Sequence, residues 1–314
     1  MGEYMKKCSL IYNPVSSGFN KEKLNIISNL INDKGYCLDI MESKYSGHVI
    51  ELVKKANSGD LTISMGGDGT VGEAIQGYKS IEQKSYYSHI STGTSNDIAQ
   101  NFNLPKNDPI KSAQLILDGQ PCEIDIISSN GKPFGYVSCF GFLTNVPYET
   151  SYNLKKNFGK FGYVIRAFNH DLFKKIPKYK INYTIDGVTK ETTCLLGAVS
   201  NSKGFGGIDV YKDAKIDDGV FEVLFVNDLD LITLLKLLKE YLKNSIDLSK
   251  YSNILTSIKT DNLKIEFLDQ LPVKPIDNDG DRIDLGLNDN NRSLEYHYDG
   301  KLKMLLPNKK TLGR

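Results

Sequence analysis

Two glycine-rich stretches in the first third of the chain have the residue types and spacing to hold phosphate: Gly66-Gly67-Asp68-Gly69-Thr70 and Gly93-Thr94-Ser95-Asn96-Asp97. Each follows a short apolar run that reads as a strand, Leu61 to Met65 and Tyr86 to Ser91, and precedes a helical pattern, from about Val71 to Gly77 and from about Ser95 to Phe102. Glycine at a strand-to-helix turn lets the backbone approach a ligand, and the helix N-terminus adds free N–H groups and a positive dipole end. One such turn is weak evidence, because glycine there is commonly mere geometry. Two of them on one parallel sheet share its carboxyl edge, where open α/β sheets bind ligands. Asp68 and Asp97 would repel an anion unless a divalent cation or a proton-transfer role balances them, and this combination favours a nucleotide-phosphate enzyme. The GxxxxGK[ST] and GxGxxG fingerprints and the protein-kinase signatures are absent.

Carboxylates recur later in the chain. Asp279 and Asp281 lie in an acidic run from Asp277 to Asp284, with a solvated loop as the bland alternative. Asp213, Asp217 and Asp218 surround a turn that is common before strands; their oxygens would suit Mg²⁺ or Ca²⁺. His48 reads as a packing or capping residue of the second helix, and the other three histidines show no metal spacing.

The elements that must position these residues alternate in the first 120 positions. Ser9 to Tyr12 reads as a strand, followed by a helix capped at Asn20 with Leu24, Ile27, Leu30 and Ile31 on one face. Leu38 to Met41 is a second strand, and Ser46 opens a helix that closes at Gly59. Such βαβ units imply a mainly parallel sheet. After Pro121 the texture becomes β-rich and turn-separated, with segments such as Glu123 to Ser128, Phe134 to Ser138, Cys194 to Ser200 and Val220 to Val226, which predicts an antiparallel sandwich. Helical patterns interrupt it at Leu154 to Phe173 and Leu229 to Leu242. The expected division is a nucleotide-binding α/β domain over 1–122, rejoined by about 300–314, and a β-sandwich substrate domain over 123–299.

Composition excludes several classes. With 314 residues, 40% hydrophobic, 25% charged and no biased tract, the chain is neither disordered nor fibrous. A net charge of +1 argues against binding nucleic acid through bulk charge. Five cysteines without a CxxC pair fit free thiols in a reducing cytosol better than disulfides or zinc. No apolar stretch reaches eighteen residues and the N-terminal apolar run is short for a signal peptide, so the expectation is a cytoplasmic protein that is at most peripheral on the inner face of a membrane.

At the level of motifs the chain resembles the diacylglycerol kinase catalytic domain family, with the layout of the bacterial lipid kinases related to sphingosine and ceramide kinases. Asn13-Pro14-Val15-Ser16-Ser17-Gly18 is similar to its NPxSG segment, Gly66 to Thr70 to GGDGT, and Gly93 to Ala99 to GTxNDxAR. Gly47-His48, Gly206-Gly207, Asp217 to Phe221 and Asp279-Gly280-Asp281 follow in the family's order, so the resemblance runs from about Lys7 to Pro307. It implies ATP and Mg²⁺, a cleft between an α/β domain and a β-sandwich, and a lipid hydroxyl as acceptor, most readily that of diacylglycerol, giving phosphatidic acid. It also implies nucleotide contacts at Asn13, Ser17 and Ser43, phosphate contacts at Gly66, Gly67, Asp68, Gly69, Thr70, Gly93, Thr94, Asn96 and Asp97, and a catalytic base at Asp279, aided by Asp281. Gln100 stands where the family has Arg, Asp281 where it has Glu, and Lys215 in its Asp-rich segment. The alternatives are an NAD kinase, which shares GGDGT, and a catalytically inactive nucleotide-binding regulator; a homodimer is compatible with the sequence.

Access to a lipid has its own signature. Between Ser151 and Lys180 stand eight basic residues, Lys155, Lys156, Lys160, Arg166, Lys174, Lys175, Lys178 and Lys180, against the single acid Asp171, interleaved with Tyr152, Phe158, Phe161, Tyr163, Phe168, Phe173 and Tyr179. Basic side chains near an anionic leaflet contribute about 1 kcal/mol each and aromatics settle at the interface, so 151–180 is the expected membrane contact. An amphipathic helix with its aromatics turned inward is the competing expectation.

Overall fold

The computed structural model describes residues 5–308, except 142–176, 206–207, 212, 231–232, 234–235, 238, 241–245, 273–275 and 280. The expected helix from Leu154 to Phe173, most of the basic stretch, the Gly206-Gly207 pair and Gly280 lie outside the described residues, as does much of 229–242.

The first half is a βα series: β1 (Lys6–Tyr12), α1 (Lys21–Asp33), β2 (Tyr36–Glu42), α2 (His48–Ala56), β3 (Leu61–Gly66), α3 (Asp68–Lys79), β4 (Tyr86–Ser91), α4 (Asp97–Asn101) and α5 (Pro109–Leu117). Strands β2, β1, β3 and β4 lie side by side in that order, all parallel. Every residue of β3 is buried, as a central strand covered by helices on both faces requires. The Asn20 side chain accepts from the Lys23 N–H at 2.9 Å and opens α1, whose Leu24, Ile27 and Ile31 enter the core.

Three helix boundaries differ from the sequence reading. Helix α2 begins at His48 rather than Ser46, because Gly47 adopts φ 86° and the first-turn amides are capped from outside. Helix α3 begins at Asp68, so Asp68, Gly69 and Thr70 form its first turn and only Gly67 is true loop. Helix α4 opens at Asp97 behind Asn96, which takes φ 52°. Helix α5, capped by Asp108, is an addition to the expected series.

The second half continues with β5 (Gln120–Ser129), β6 (Lys132–Phe134), β7 (Val137–Gly141), β8 (Tyr179–Ile185), β9 (Val188–Cys194), β10 (Leu196–Ser200), the small hairpin of β11 (Gly204–Phe205) and β12 (Ile208–Asp209), β13 (Phe221–Val226), β14 (Leu255–Thr260), β15 (Asn262–Phe267), β16 (Ile276–Asn278), β17 (Asp281–Ile283) and β18 (Ser293–Leu306). An antiparallel sheet forms in the order β14-β13-β10-β7-β16-β17. Its partner in the sandwich is the first sheet prolonged. Met304 of β18 pairs in parallel with Tyr87 of β4, and β15, β8 and β9 follow outward. Between these layers lies an apolar core with Ile181, Ile265, Phe267, Leu294 and Tyr296 from one sheet and Phe140, Val199, Phe221, Val223 and Phe225 from the other.

Candidate active site at the carboxyl edge of the parallel sheet

The loops after β1, β3 and β4 meet at one edge. The Thr92 N–H donates to the Gly66 carbonyl at 2.6 Å, and the Gly18 N–H donates to the Thr92 carbonyl at 2.8 Å. Side chains reinforce this seam, with the Ser16 and Thr92 hydroxyls 2.8 Å apart and those of Ser17 and Thr94 3.0 Å apart. Asn13 joins through its N–H to the Met65 carbonyl, and Ser43 through its N–H to the Tyr12 carbonyl, both at 2.9 Å. Asn13, Ser17, Ser43 and the two glycine loops therefore occupy a single continuous rim.

Two of the glycines are required by close approach. A Cβ at Gly93 would lie 2.6 Å from the Gly67 Cα, and one at Gly66 would lie 2.1 Å from the Thr70 Oγ1. The first clash is against backbone, which cannot rotate away. Asn96 holds the second loop in place: its Oδ1 accepts from the Gly93 N–H at 2.8 Å, and its Nδ2 donates to the Gly93 and Lys106 carbonyls. That amide is committed to shaping the loop.

Asp68 connects the two loops. Its carboxylate accepts from the Asp97 and Ile98 N–H groups at 3.3 Å each, at the start of α4. Burial raises its pKa to about 6, with the nearby Asp97 charge adding to the rise and these two amides opposing it. Asp97 is held in an ion pair by Lys106.

Asp279 reaches the same region from the opposite layer. It is 1% exposed and adopts φ 53°. Its Oδ1 accepts from the Tyr136 and Val137 N–H groups and its Oδ2 from the Gly135 N–H, all at 2.9 Å, so it clamps the turn between β6 and β7. Burial raises its pKa to about 7 against these three bonds, and the Asp68 charge contributes to the rise. Tyr136 lies in the field of Asp97, Asp68 and Asp279 together, and burial pushes its phenol well above its ordinary value. Asp281 follows in β17, paired in register with Asn278.

The expected metal cluster is arranged differently from the sequence reading. Asp218 is ion-paired with Lys259 at 2.8 Å. Asp213 lines a separate cavity of about 340 Å³ on the outer face of the antiparallel sheet, together with Glu222, Asp247 and Lys259. Among the described residues no three His, Cys, Asp or Glu side chains converge as a metal site, so Asp213, Asp217 and Asp218 do not fit one as placed. The lysine that answers Asp218 lies 41 positions away, beyond any local spacing rule.

Several residues outside the motifs shape the site. Glu73 on α3 accepts from the Gly47 N–H at 2.7 Å and the Val49 N–H at 3.1 Å, which supplies the external cap of α2. Asp125, 1% exposed, accepts from the Gly219 N–H at 2.6 Å and so fastens the Asp217-Asp218-Gly219 turn to β5. Asn201 donates its backbone N–H to the Tyr136 carbonyl and its Nδ2 to the Asp125 carbonyl. No short-range pattern marks these contacts, which span 24 to 94 positions. His48 stacks on Tyr45 and accepts from the Lys44 N–H.

Comparison with known proteins agrees with this geometry. Residues 7–129 match the diacylglycerol kinase catalytic domain, and residues 149–274 match the YegS C-terminal NAD kinase beta sandwich-like domain. A diacylglycerol kinase of Bacillus subtilis is 26% identical over 72% of this chain and 76% of its own. One of Staphylococcus aureus is 29% identical over 73% of each. In fold, a crystal structure of a diacylglycerol kinase from Bacillus anthracis superposes with a TM-score of 0.73 at 21% identity, covering 98% of both chains. A second Bacillus anthracis chain reaches 0.78 at 23% identity, covering 98% of this chain and 97% of its own. Matched in sequence order, the chain carries a diacylglycerol kinase catalytic domain followed by a YegS-type β-sandwich-like domain, and with these relatives it is a lipid kinase that transfers phosphate to a hydroxyl.

Proposed function

We propose that the protein transfers the γ-phosphate of ATP to the free hydroxyl of diacylglycerol, forming phosphatidic acid. The observation that carries this is the meeting of two glycine loops around Asp68, with a second buried carboxylate, Asp279, near enough to feel its charge. The Gly67 amide and the N-terminus of α3 suit a triphosphate, while Asn96 holds the Gly93 N–H and Asp68 holds the first N–H groups of α4, which fixes the shape of the second loop beside them. Phosphoryl transfer asks the protein chiefly to position and neutralise. Asp68 is a hard oxygen donor at that place, and Mg²⁺ is commonly held by one or two carboxylates plus substrate phosphates, so the residues present fit it. Held by Asp68, Mg²⁺ would supply neutralising charge to the phosphates. Asp279 accepts the proton of the lipid hydroxyl, and its pKa of about 7 matches the working range of a general base.

The test is phosphate transfer from labelled ATP to a panel of lipid alcohols in mixed micelles, with NAD as a separate acceptor. Labelled phosphatidic acid from diacylglycerol is the expected product. Labelling of another lipid alone would move the acceptor, labelling of NAD would replace the reading, and ATP binding without any product would make the chain a regulator.

A further inference from the structure

We propose that Tyr45, backed by His48, is the platform on which the purine base of the nucleotide stacks. This rests on the ATP reading above and names a residue that no motif includes.

Tyr45 is a large aromatic left 57% exposed, yet it is held on several sides. Its ring lies on the His48 imidazole, with centroids 4.5 Å apart and planes 18° from parallel. Its hydroxyl donates to Glu51 Oε1 at 3.0 Å. His48 is fixed in turn by accepting the Lys44 N–H at its Nδ1, at 3.1 Å. An ordered ring with one face against a second ring and its remaining surface in water is what a stacking site needs, because little freedom is lost when a base covers it.

Its position on the sheet edge supports the same role. The strand order is β2-β1-β3-β4, so the loop after β2 lies two strands from the loop after β3. At a strand spacing near 4.8 Å this is about 10 Å along the rim. Between them lies the loop after β1 with Asn13 and Ser17, and Val15 at its tip is an 87% exposed apolar group. A nucleotide with its phosphates at Gly67 and Gly93 and its sugar beside Asn13 and Ser17 therefore directs its base toward Ser43 and Tyr45. Glu73 couples the two ends, since it sits on the helix that starts at the phosphate loop and holds the amides of Gly47 and Val49.

Stacking reads a π-face and not a pattern of donors and acceptors, so the platform contributes affinity without selecting between purines. Tyr45→Ala is expected to weaken ATP and GTP alike, each by about tenfold, because one base stacked on one aromatic accounts for that order of affinity. Tripolyphosphate, which has no base, should bind wild type and variant equally, and Tyr45→Phe should restore ATP binding. The chain contains no tryptophan, so Tyr45→Trp places a single indole at the site. Its fluorescence should be quenched by ATP and unaffected by tripolyphosphate. Unchanged ATP affinity in Tyr45→Ala by calorimetry, or equal weakening of ATP and tripolyphosphate, overturns the platform while leaving the kinase reading in place. Absence of ATP binding to wild type overturns both, so the two failures are told apart.

Discussion

Asp279 shows how much one side chain can be asked to do. It caps three backbone amides, and the proposed function asks it to accept a proton as well; these demands separate under substitution. Asp279→Asn keeps the volume and suits the left-handed backbone, but it turns one acceptor into a donor facing Gly135. We expect kcat per folded molecule to fall by about 10²-fold or more while ATP affinity holds, since general-base catalysis is worth that much. Asp279→Ala should also lower the melting temperature, because three amides lose their acceptor at about 1–3 kcal/mol each. Equal kcat in wild type and Asp279→Asn refutes the base role. With a pKa near 7, kcat/KM should fall about tenfold per unit below that pH, and Asp279→Asn should lose that limb. Asp68→Asn is the companion test: charge is removed at constant volume between the two glycine loops, so the fold should persist and turnover should nearly vanish. Wild-type turnover in a well-folded Asp68→Asn protein would sink that assignment.

At the scale of elements, the parallel strands set the spacing of the loops and the glycines allow the loops to touch. Gly93→Ala places a methyl 2.6 Å from the Gly67 Cα, where neither backbone can yield. The expected result is loss of ATP binding with the circular dichroism spectrum retained; retained affinity would show that the loops need not abut. Another element-scale expectation concerns 151–180. Among its described lysines, Lys178 is paired with Asp228 and Lys180 with Glu191, both at 3.0 Å and exposed, so the expected membrane attraction is assigned to Lys155, Lys156 and Lys160 and their neighbours. Changing those three to Glu should abolish salt-sensitive binding to anionic vesicles and spare turnover of a short-chain soluble lipid. Equal loss on the soluble lipid would assign the stretch to folding or catalysis. No helix among the described residues is long and apolar enough to cross a membrane.

For the whole molecule, the fold buries carboxylates at more than one place, Asp68 and Asp279 near each other and Glu222 on the outer face of the antiparallel sheet, and this has a consequence for stability. Burial raises the pKa of Asp68 to about 6 and those of Asp279 and Glu222 to about 7, whereas unfolded carboxyls titrate near 4. Between those limits the folded state binds more protons than the unfolded one. Stability from these groups is therefore highest at the acid end of the window and is lost as pH rises through 6 to 7. The melting temperature should fall between pH 5 and pH 7.5, and the double variant Asp68→Asn, Asp279→Asn should show a flatter dependence by scanning calorimetry. An unchanged slope in the double variant would mean that the two carboxylates titrate normally in the fold.

The sequence by itself determined the local elements and the two glycine-rich turns that the proposed function assigns to phosphate. Hydrophobic period and glycine position act within a few residues, so β3 and its glycine turn, Asn20 as a helix cap, and the β-rich texture after Pro121 could all be read from short windows. The tertiary structure decided what those windows do not contain. The cap of α2 comes from Glu73, the partner of Asp218 is Lys259, and the amides that Asp279 holds lie more than 140 positions away. Asp213, Asp217 and Asp218 look like a metal cluster in one dimension, yet among the described residues they do not converge as one, and Lys259 answers Asp218 instead. The prolongation of the first sheet through β15, β8 and β9 was hidden for the same reason, although the chain end was expected near the first domain. The parallel contact between Met304 and Tyr87 joins the two halves through a chain end more than two hundred residues from its partner strand, and pairing at that range follows from burying a shared apolar core rather than from any local preference.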